Sequence, residues 1–399
     1  MIGLADIEAA RARVAGVIRA TPVVRSDSLS GLAGRPVLLK PEYLQRTGSF
    51  KIRGAYNFMA CLAGTVTEVV AGSAGNHAQG VALAASLTGR RATVFMPASA
   101  SLPKVAATRG YGADVRLAGD SVDECIGAAR DHAAATGAVF VPPFDDELVV
   151  AGQGTIGLEV AVEAPEATTV VVPVGGGGLL SGVAAALAAV SPGTRLVGVE
   201  AAGAASMRAA LDAGRCVAVP ELATMADGIA VGRVSDLTLR HVQALVDDVV
   251  SVTEEEISAA LLLLLERAKA VVEPAGAAAL AAVLNGSVGG AGPVVALLSG
   301  GNVDPQLLIK LIDHGLSSSG RYLRLRIVLD DHPGSLAALT AHVAELGLNV
   351  LDVEHHRAGV DLRLDEVEVL LTLETRDPDH RDEVVTALAT SGYRVEAVR

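Results

Sequence analysis

A run of glycines is the first feature of the sequence that could do chemistry. Residues 175–178 are four glycines between a short apolar run and an Ala-rich stretch. In a strand-to-helix turn of this kind, successive backbone N–H groups can face one anion, and the helix dipole adds attraction. The run predicts a phosphate site, although a plain tight turn would look the same. It is not a Walker loop, and Leu180 interrupts the G-x-G-x-x-G pattern.

Lys51 is the second candidate, because it lies between two apolar residues, Phe50 and Ile52. A lysine amine that is shielded from water has a lowered pKa and can form a Schiff base with a carbonyl group. Most lysines, however, are solvated surface groups. Taken alone, Lys51 therefore supports either interpretation.

Two further motifs lie where a strand is expected to end. Residues 73–79 read SAGNHAQ, and residues 297–302 read LLSGGN. The first could bind a second anion, such as a carboxylate, with its backbone N–H groups; alternatively Ser73 caps a helix and His77 is packed or solvated. Ser299 stands at the carboxyl end of a strand, where open α/β sheets bind ligands, unless it only forms a turn.

The elements that must position these motifs alternate along the chain. Short, continuous apolar runs predict strands buried on both faces of a parallel sheet, at residues 37–40, 68–71, 92–96, 169–173, 196–199 and 294–298. Helix-sized segments between them include residues 77–88, 102–109, 121–135, 178–189 and 254–269. This alternation predicts an α/β fold with helices on both faces of the sheet.

The pattern changes near residue 316. Residues 316–321 are small and polar and predict a linker. Residues 322–398 then have the periodicities of a β-α-β-β-α-β order, which is the ferredoxin-like arrangement. We therefore expect a domain boundary at this linker.

Composition restricts the classes of partner. The chain has 399 residues, enough for two or three domains, with 45 acidic against 32 basic residues and 3% aromatic residues. Nucleic acids and anionic membranes are therefore not expected partners. The two long uncharged stretches, 167–194 and 274–302, are broken by Gly and Pro and predict buried strands and helices rather than membrane spans. The N-terminus does not have the pattern of a signal peptide, so we expect a cytoplasmic protein.

The three cysteines are scattered, which argues against disulfides and zinc. No metal is predicted.

The four motifs together carry a resemblance. GSFKIRGA, SAGNHAQG, PVGGGGLLSG and LLSGGN occur in the order and at about the spacing found in threonine dehydratases (threonine ammonia-lyases), which are pyridoxal-phosphate enzymes of the tryptophan-synthase-β-like group. The C-terminal motifs DHPG, at 331–334, and LGLNV, at 346–350, resemble an ACT regulatory domain. Each catalytic motif is shared with serine dehydratases and serine racemases, whereas the combination is specific.

The resemblance implies a fold and a domain organisation. The fold would be type II of the pyridoxal-phosphate enzymes, with two open α/β subdomains of mostly parallel sheets, followed by a ferredoxin-like βαββαβ ACT domain. The catalytic domain would span residues 1–315, with a smaller subdomain inserted at approximately 45–150. The linker would be 316–321, and the ACT domain 322–399.

The resemblance also implies residue roles, with pyridoxal 5'-phosphate as the cofactor and Lys51 as the catalytic residue that holds it covalently. It places the cofactor against Phe50, Lys51, Asn76, Gly175, Gly176, Gly177, Gly178, Leu179 and Ser299. It places the substrate carboxylate on Ser73, Ala74, Gly75, Asn76 and His77. A hydroxyl such as that of Ser299 can satisfy an unprotonated ring nitrogen, which makes the ring a weaker electron sink.

The reaction implied is β-elimination, which converts L-threonine to 2-oxobutanoate and ammonia, and L-serine to pyruvate. L-serine dehydratase and serine racemase of the same family are the alternatives. Serine racemases carry a second hydroxyl where this chain has Ala74. Because racemisation needs an acid or base on both faces of the α-carbon, elimination is favoured.

Regulation and assembly are implied by the C-terminal resemblance. An isoleucine or valine effector would bind near Asp331, Gly334 and Asn349, and the chain would form a homodimer or homotetramer.

Three rivals remain. One keeps the cofactor but changes the reaction, as in cysteine synthase or threonine synthase, which resemble this chain less around Lys51. A nucleotide-dependent oxidoreductase would also use a glycine turn, with Glu200 as an acidic residue at a later strand end. A non-catalytic amino-acid sensor should lack Lys51, which is present.

Overall fold

The structure is a computed structural model that describes residues 1–357 and 362–398. Its contacts divide the chain into two units, Met1–Leu308 and Ile309–Arg399. The helices are α1 (Leu4–Val14), α2 (Asp27–Ala33), α3 (Lys51–Ala60), α4 (Asn76–Leu87), α5 (Leu102–Gly110), α6 (Val122–Thr136), α7 (Glu147–Glu163), α8 (Gly178–Val190), α9 (Ser206–Ala213), α10 (Asp236–Leu245), α11 (Glu254–Leu263), α12 (Pro274–Leu284), α13 (Pro305–Ser318), α14 (Ser335–Glu345) and α15 (Pro378–Thr390).

The strands of the first unit form two sheets. They are β1 (Val24–Arg25), β2 (Val37–Pro41), β3 (Glu68–Gly72), β4 (Arg91–Met96), β5 (Asp114–Leu117), β6 (Val139–Phe140), β7 (Thr169–Pro173), β8 (Arg195–Ala201), β9 (Asp248–Val252) and β10 (Val294–Leu298). The six-stranded sheet has the order β1-β2-β10-β7-β8-β9, and the four-stranded sheet has the order β5-β4-β3-β6. Except for the antiparallel edge pair β1–β2, all neighbours in both sheets are parallel.

Four of the six predicted apolar runs lie in the larger sheet, and the runs at 68–71 and 92–96 lie in the smaller one. Every residue of β2, β7 and β10 is buried. Strands covered on both faces by helices have no solvent side, so polar residues do not alternate with apolar ones. The predicted α/β class with two open, mostly parallel sheets is confirmed.

The second unit contains an antiparallel sheet. Its strands are β11 (Tyr322–Asp330), β12 (Asn349–His356), β13 (Glu366–Glu374) and β14 (Arg394–Val398), in the order β12-β13-β11-β14. With α14 and α15 they follow the predicted β-α-β-β-α-β order. Alternate residues of β11, namely Leu323, Leu325, Ile327 and Leu329, are buried, because only one face of the strand meets the core. Residues 358–361 and 399 of the predicted 322–399 domain lie outside the described residues.

The predicted linker, 316–321, differs from the structure. Residues 316–318 are the last residues of α13, and the turn is confined to residues 319–321. Apolar side chains at helical spacing extend the helix, and serine is tolerated near a helix end. Gly320 then leaves the helix with a φ of +72°, a left-handed conformation that favours glycine.

No helix within the described residues is long and apolar enough to cross a membrane.

Candidate active site

Lys51 is the first residue of α3, and its amine is shielded from water although the residue is only half-buried. Its Nζ donates a hydrogen bond to the carbonyl oxygen of Pro143 at 2.9 Å. Burial disfavours the ammonium form and lowers the pKa of Lys51 to about 8, while the Glu273 carboxylate acts in the opposite direction. Such an amine is partly unprotonated near neutral pH and can attack a carbonyl carbon.

Arg53 anchors the helix that starts with Lys51. Its guanidinium makes two hydrogen bonds of 2.8 Å to the Glu42 carboxylate and two of 2.6 and 2.9 Å to Glu159. The side chains of Arg53 and Glu42 have no exposed surface. Paired, planar contacts of this kind fix both position and angle. The start of α3, and with it Lys51, is therefore held on a rigid element.

The glycine run connects β7 to α8 and needs glycine at several of its positions. A Cβ atom on Gly176 would lie 2.2 Å from the Phe144 ring, and Gly177 has a φ of +86°. Side chains are thus excluded from the turn, and its backbone N–H groups lie at the start of α8, beside the buried Leu179. The turn has the features of an anion cradle.

Lys51, the glycine run and Ser299 lie at the same edge of the larger sheet. β7 and β10 are parallel neighbours, so the glycine run and Ser299 leave the sheet at adjacent carboxyl ends. The backbone N–H of Phe50 donates to the Ser299 carbonyl oxygen at 3.1 Å, and Ser49 forms a β-bridge with Gly300. The two backbone contacts place the residue before Lys51 against the turn after β10.

The segment 73–77 follows β3 and leads into α4. The Ser73 hydroxyl accepts a hydrogen bond from the Gly75 N–H at 3.2 Å, inside the turn rather than as the helix cap. His77 is buried, and its Nε2 donates to the Val141 carbonyl oxygen at 2.9 Å. Burial, with the nearby Lys51 charge, lowers the pKa of His77 to about 3, so the ring is neutral at physiological pH.

Asn76 contacts two residues, Glu273 and Asn302, to which no role was assigned from the sequence. Its Nδ2 donates to Glu273 Oε1 at 2.6 Å, and its Oδ1 accepts from Asn302 Nδ2 at 2.7 Å. Asn302 Nδ2 also donates to the carbonyl oxygen of Thr47, at 2.7 Å. The network links the 73–77 turn to the turn after β10 and to the start of α12.

A model of the family described as "Pyridoxal-phosphate dependent enzyme" matches residues 14–300. The chain belongs to this family. Its cofactor is pyridoxal 5'-phosphate, and the assignment excludes the nucleotide-dependent oxidoreductase.

Relatives of this pyridoxal-phosphate enzyme match nearly all of the chain. An L-threonine ammonia-lyase of Geobacter sulfurreducens is 46% identical over 396 residues, which is 98% of each chain. One of Thermotoga maritima is 46% identical over 400 residues and 100% of each chain. A catabolic L-threonine dehydratase of Escherichia coli is 42% identical over 308 residues, which is 76% of this chain and 94% of the relative.

Solved structures resemble the enzyme over about three quarters of its length. A threonine deaminase from T.th. has a TM-score of 0.73 at 42% identity and covers 76% of this chain and 99% of its own. A maize serine racemase has a TM-score of 0.74 at 35% identity and covers 79% and 98%.

The residues present fit the cofactor. The glycine run is a cradle that any Cβ at Gly176 would fill, and it can accept a phosphate. Lys51 carries a shielded amine with a lowered pKa, as a lysine that reacts with an aldehyde requires. The Asn76 amide and the Ser299 hydroxyl supply polar groups for the ring.

Glu273 and Asn302 are site residues that the sequence interpretation missed, together with Phe144, which packs on the glycine turn. Glu273 had a detectable signal, because it is the acidic residue immediately before the uncharged stretch 274–302. Asn302 ends the LLSGGN motif but received no role. Phe144 had none, since only the folded chain brings its ring to the glycine turn.

The predicted effector residues lie in the second unit and have separate partners. Asp331 pairs with Arg357 at 3.3 Å, and Asn349 donates to Glu374 at 3.3 Å. Gly334 precedes α14 with a φ of +101°. These contacts do not test the effector role of the three residues, which stays a prediction.

Glu200 accepts hydrogen bonds from the backbone N–H groups of Met207, at 2.6 Å, and Arg208, at 2.9 Å. Burial raises its pKa to about 7. In the described part of the chain, no three His, Cys, Asp or Glu residues form a group that could hold a metal ion.

Proposed function

We propose that the enzyme deaminates L-threonine by β-elimination to 2-oxobutanoate and ammonia, and converts L-serine to pyruvate. The main support for this proposal is the Lys51 amine. Its pKa of about 8 suits proton transfer, and it lies at the same sheet edge as the glycine run. The relatives at 46% identity that match the whole chain are named L-threonine ammonia-lyases, which supports threonine as the substrate.

The proposed roles at the cofactor follow the geometry. When bound, pyridoxal 5'-phosphate supplies an electron sink for the substrate's α-carbon. Lys51 would hold it covalently, and the N–H groups of residues 175–179 would bind its phosphate. Phe50, whose ring centroid lies 5.1 Å from Lys51 Nζ, would pack against the ring. Asn76 would donate to the ring hydroxyl, and Ser299 would face the ring nitrogen.

The substrate carboxylate would bind the 73–77 turn through its backbone N–H groups. His77 stays neutral there, so it orients the turn through Val141 without adding a charge. The unprotonated Lys51 Nζ would take the proton from the α-carbon.

Ala74 separates elimination from racemisation. In this proposal Lys51 serves one face of the α-carbon, and the Ala74 methyl group cannot exchange a proton on the other. We therefore expect negligible formation of D-serine from L-serine. A serine dehydratase remains the alternative, because one methyl group in a pocket changes preference by only ~1–3 kcal/mol.

The decisive experiment compares the purified enzyme with Lys51→Ala. The enzyme should form 2-oxobutanoate from L-threonine, and borohydride should attach the cofactor to Lys51 in peptide mass spectrometry. Lys51→Ala should lose both, whereas Lys310→Ala, at an exposed lysine, should keep both. Borohydride labelling elsewhere, or D-serine formed as fast as pyruvate, would overturn the assignment.

We also propose a division of labour along the chain. Residues 1–315 would be catalytic, with the smaller subdomain near 45–150, and residues 322–399 would form a regulatory domain that binds isoleucine or valine near Asp331, Gly334 and Asn349. The ferredoxin-like order of the second unit supports this role. Assembly as a homodimer or homotetramer is proposed on the family resemblance.

A further inference from the structure

Glu273 is a buried carboxyl group that the mechanism above does not use. It directly precedes α12, is 4% exposed, and its backbone N–H donates to the Gly300 carbonyl oxygen at 3.1 Å. Burial of a carboxylate costs free energy unless hydrogen bonds compensate it. Its side-chain hydrogen bond within the described residues comes from Asn76, at 2.6 Å. The carboxylate therefore belongs to the Asn76 network.

The orientation of the Asn76 amide depends on this carboxylate. A carboxylate accepts hydrogen bonds, and the Asn302 Nδ2 group donates them. Asn76 therefore points its Nδ2 to Glu273 and its Oδ1 to Asn302. An end-for-end flip would set oxygen against oxygen and N–H against N–H. Asn76 Nδ2 carries two hydrogens, and the second one can be donated to a further acceptor.

The packing leaves Glu273 and Asn76 little freedom. A Cβ atom at Gly300 would lie 2.3 Å from Glu273 Oε1 and 3.1 Å from Asn76 Nδ2. The turn after β10 therefore closes directly over the pair. Glycine at this position allows the close approach of the backbone to the pair.

Charged groups surround Glu273 on several elements. Burial, and then the Asp227 carboxylate, raise its pKa to about 7, against the effects of Asn76, Lys104 and Lys51. Lys104 and Asp227 form an ion pair with each other. Glu273 is consequently ionised just above neutral pH, in the range where Lys51 loses its proton. Its charge also favours the protonated form of Lys51.

We propose that Glu273 is a positioning residue, which orients the Asn76 amide toward the cofactor and places a negative charge within electrostatic reach of the Lys51 amine. The inference rests on the proposed function, because it requires Asn76 to contact the cofactor ring. In this proposal Glu273 acts through Asn76 and Lys51 rather than on the substrate.

The first test measures pyridoxal 5'-phosphate retention by dialysis of the full-length holoenzyme. Glu273→Ala should weaken retention and lower kcat by about tenfold, the usual scale for a lost hydrogen bond to a charged group, with a smaller change in KM for threonine. In an Asn76→Ala background the same substitution should weaken cofactor retention no further, since the effect on retention acts through that one contact. Additive losses in the double variant would indicate a merely structural role and overturn the proposal.

The second test separates the charge from the hydrogen bond. Glu273→Gln keeps an acceptor for Asn76 and should restore most of the retention, but it removes the charge. The pH midpoint for rebinding of the cofactor to Lys51 should therefore move to lower pH in both the Gln and Ala variants. Glu166→Gln, at an exposed carboxylate, is the matched control and should leave the midpoint unchanged.

The outcomes distinguish this inference from the proposed function. If the unaltered enzyme neither retains the cofactor nor forms 2-oxobutanoate, the proposed function is wrong, and this inference with it. If the unaltered enzyme does both and the Glu273 variants match it in retention and midpoint, only the role of Glu273 is wrong.

Discussion

At the scale of single residues, the reactive amine is also a source of instability. Lys51 keeps its ammonium in a site that lowers its pKa from 10.5 to about 8. Below pH 8 both the folded and the unfolded chain carry the proton, and the folded chain then bears the full desolvation cost. As the pH rises from 8 to 10.5, the folded chain loses its proton first and the penalty disappears.

Lys51→Met should therefore stabilise the cofactor-free protein while it abolishes activity. We expect a gain of about 1–2 kcal/mol at pH 7, since the lost hydrogen bond to Pro143 offsets part of the benefit. Urea unfolding at pH 7 and at pH 10 measures it, and the gain should shrink at the higher pH. Lys310→Met, at an exposed site, is the control. A variant less stable than the parent at pH 7 would contradict the burial of the amine.

The sequence marked as candidates those residues whose chemistry shows in their type and flanks, and their roles stay predictions. The glycines and Ser299 follow neighbouring parallel strands, whose carboxyl ends lie together. Lys51 reaches the same edge through the backbone contacts of the two residues before it. Glu273 and Asn302 reach Asn76 from positions roughly 200 residues away along the chain. The sequence marks Glu273 as an acidic residue beside an uncharged stretch, but its contact with Asn76 depends on tertiary packing and has no direct signal in a single sequence.

At the scale of elements, the turn between β7 and α8 has no space for side chains. A Cβ on Gly176 would lie 2.2–2.4 Å from three atoms of the Phe144 ring. The ring or the turn would have to move, and either movement would disturb the row of N–H groups that is proposed to bind the phosphate.

Gly176→Ala should weaken cofactor retention and destabilise the fold by about 1–3 kcal/mol, the usual cost of overpacking. Equilibrium dialysis of pyridoxal 5'-phosphate and thermal unfolding measure the two effects. Gly193→Ala is the matched control, because a Cβ there meets nothing within 4 Å. Adding Phe144→Leu, which removes ring atoms from the contact, should recover part of the retention. Retention equal to that of the control would show that the turn does not bind the phosphate.

Strands were predictable where they are central and missed where they are short or carry charge. Predicted and observed bounds agree for β7 and β10, whose residues are all buried. β5 (Asp114–Leu117) contains Asp and Arg, and β6 (Val139–Phe140) has two residues. Edge strands are exposed on one side and tolerate charges, so no apolar run marks them. The helix that continues to Ser318 was missed because its serines resemble a linker.

At the scale of the whole molecule, each unit has its own hydrophobic core. The second unit's core consists of residues between Leu323 and Leu388, with side chains up to Val395 packed against it. The first unit has separate clusters around its two parallel sheets. Units with independent cores can fold alone. The T.th. threonine deaminase, 99% of which aligns with 76% of this chain, is a folded protein without a counterpart for the remainder.

Removal of residues 321–399 should therefore leave an enzyme that still deaminates threonine but no longer responds to isoleucine or valine. The deletion keeps α13 and the whole of the site around Lys51, so kcat and cofactor retention should stay close to those of the full chain. Product formation with and without each amino acid, together with isothermal titration of both proteins, measures the response. Binding heat and a changed rate should appear with the full-length chain alone. If the shortened enzyme responds equally, the effector site lies in the first unit; if neither protein gives heat or a rate change, regulation by these amino acids is absent, and the second unit has another role.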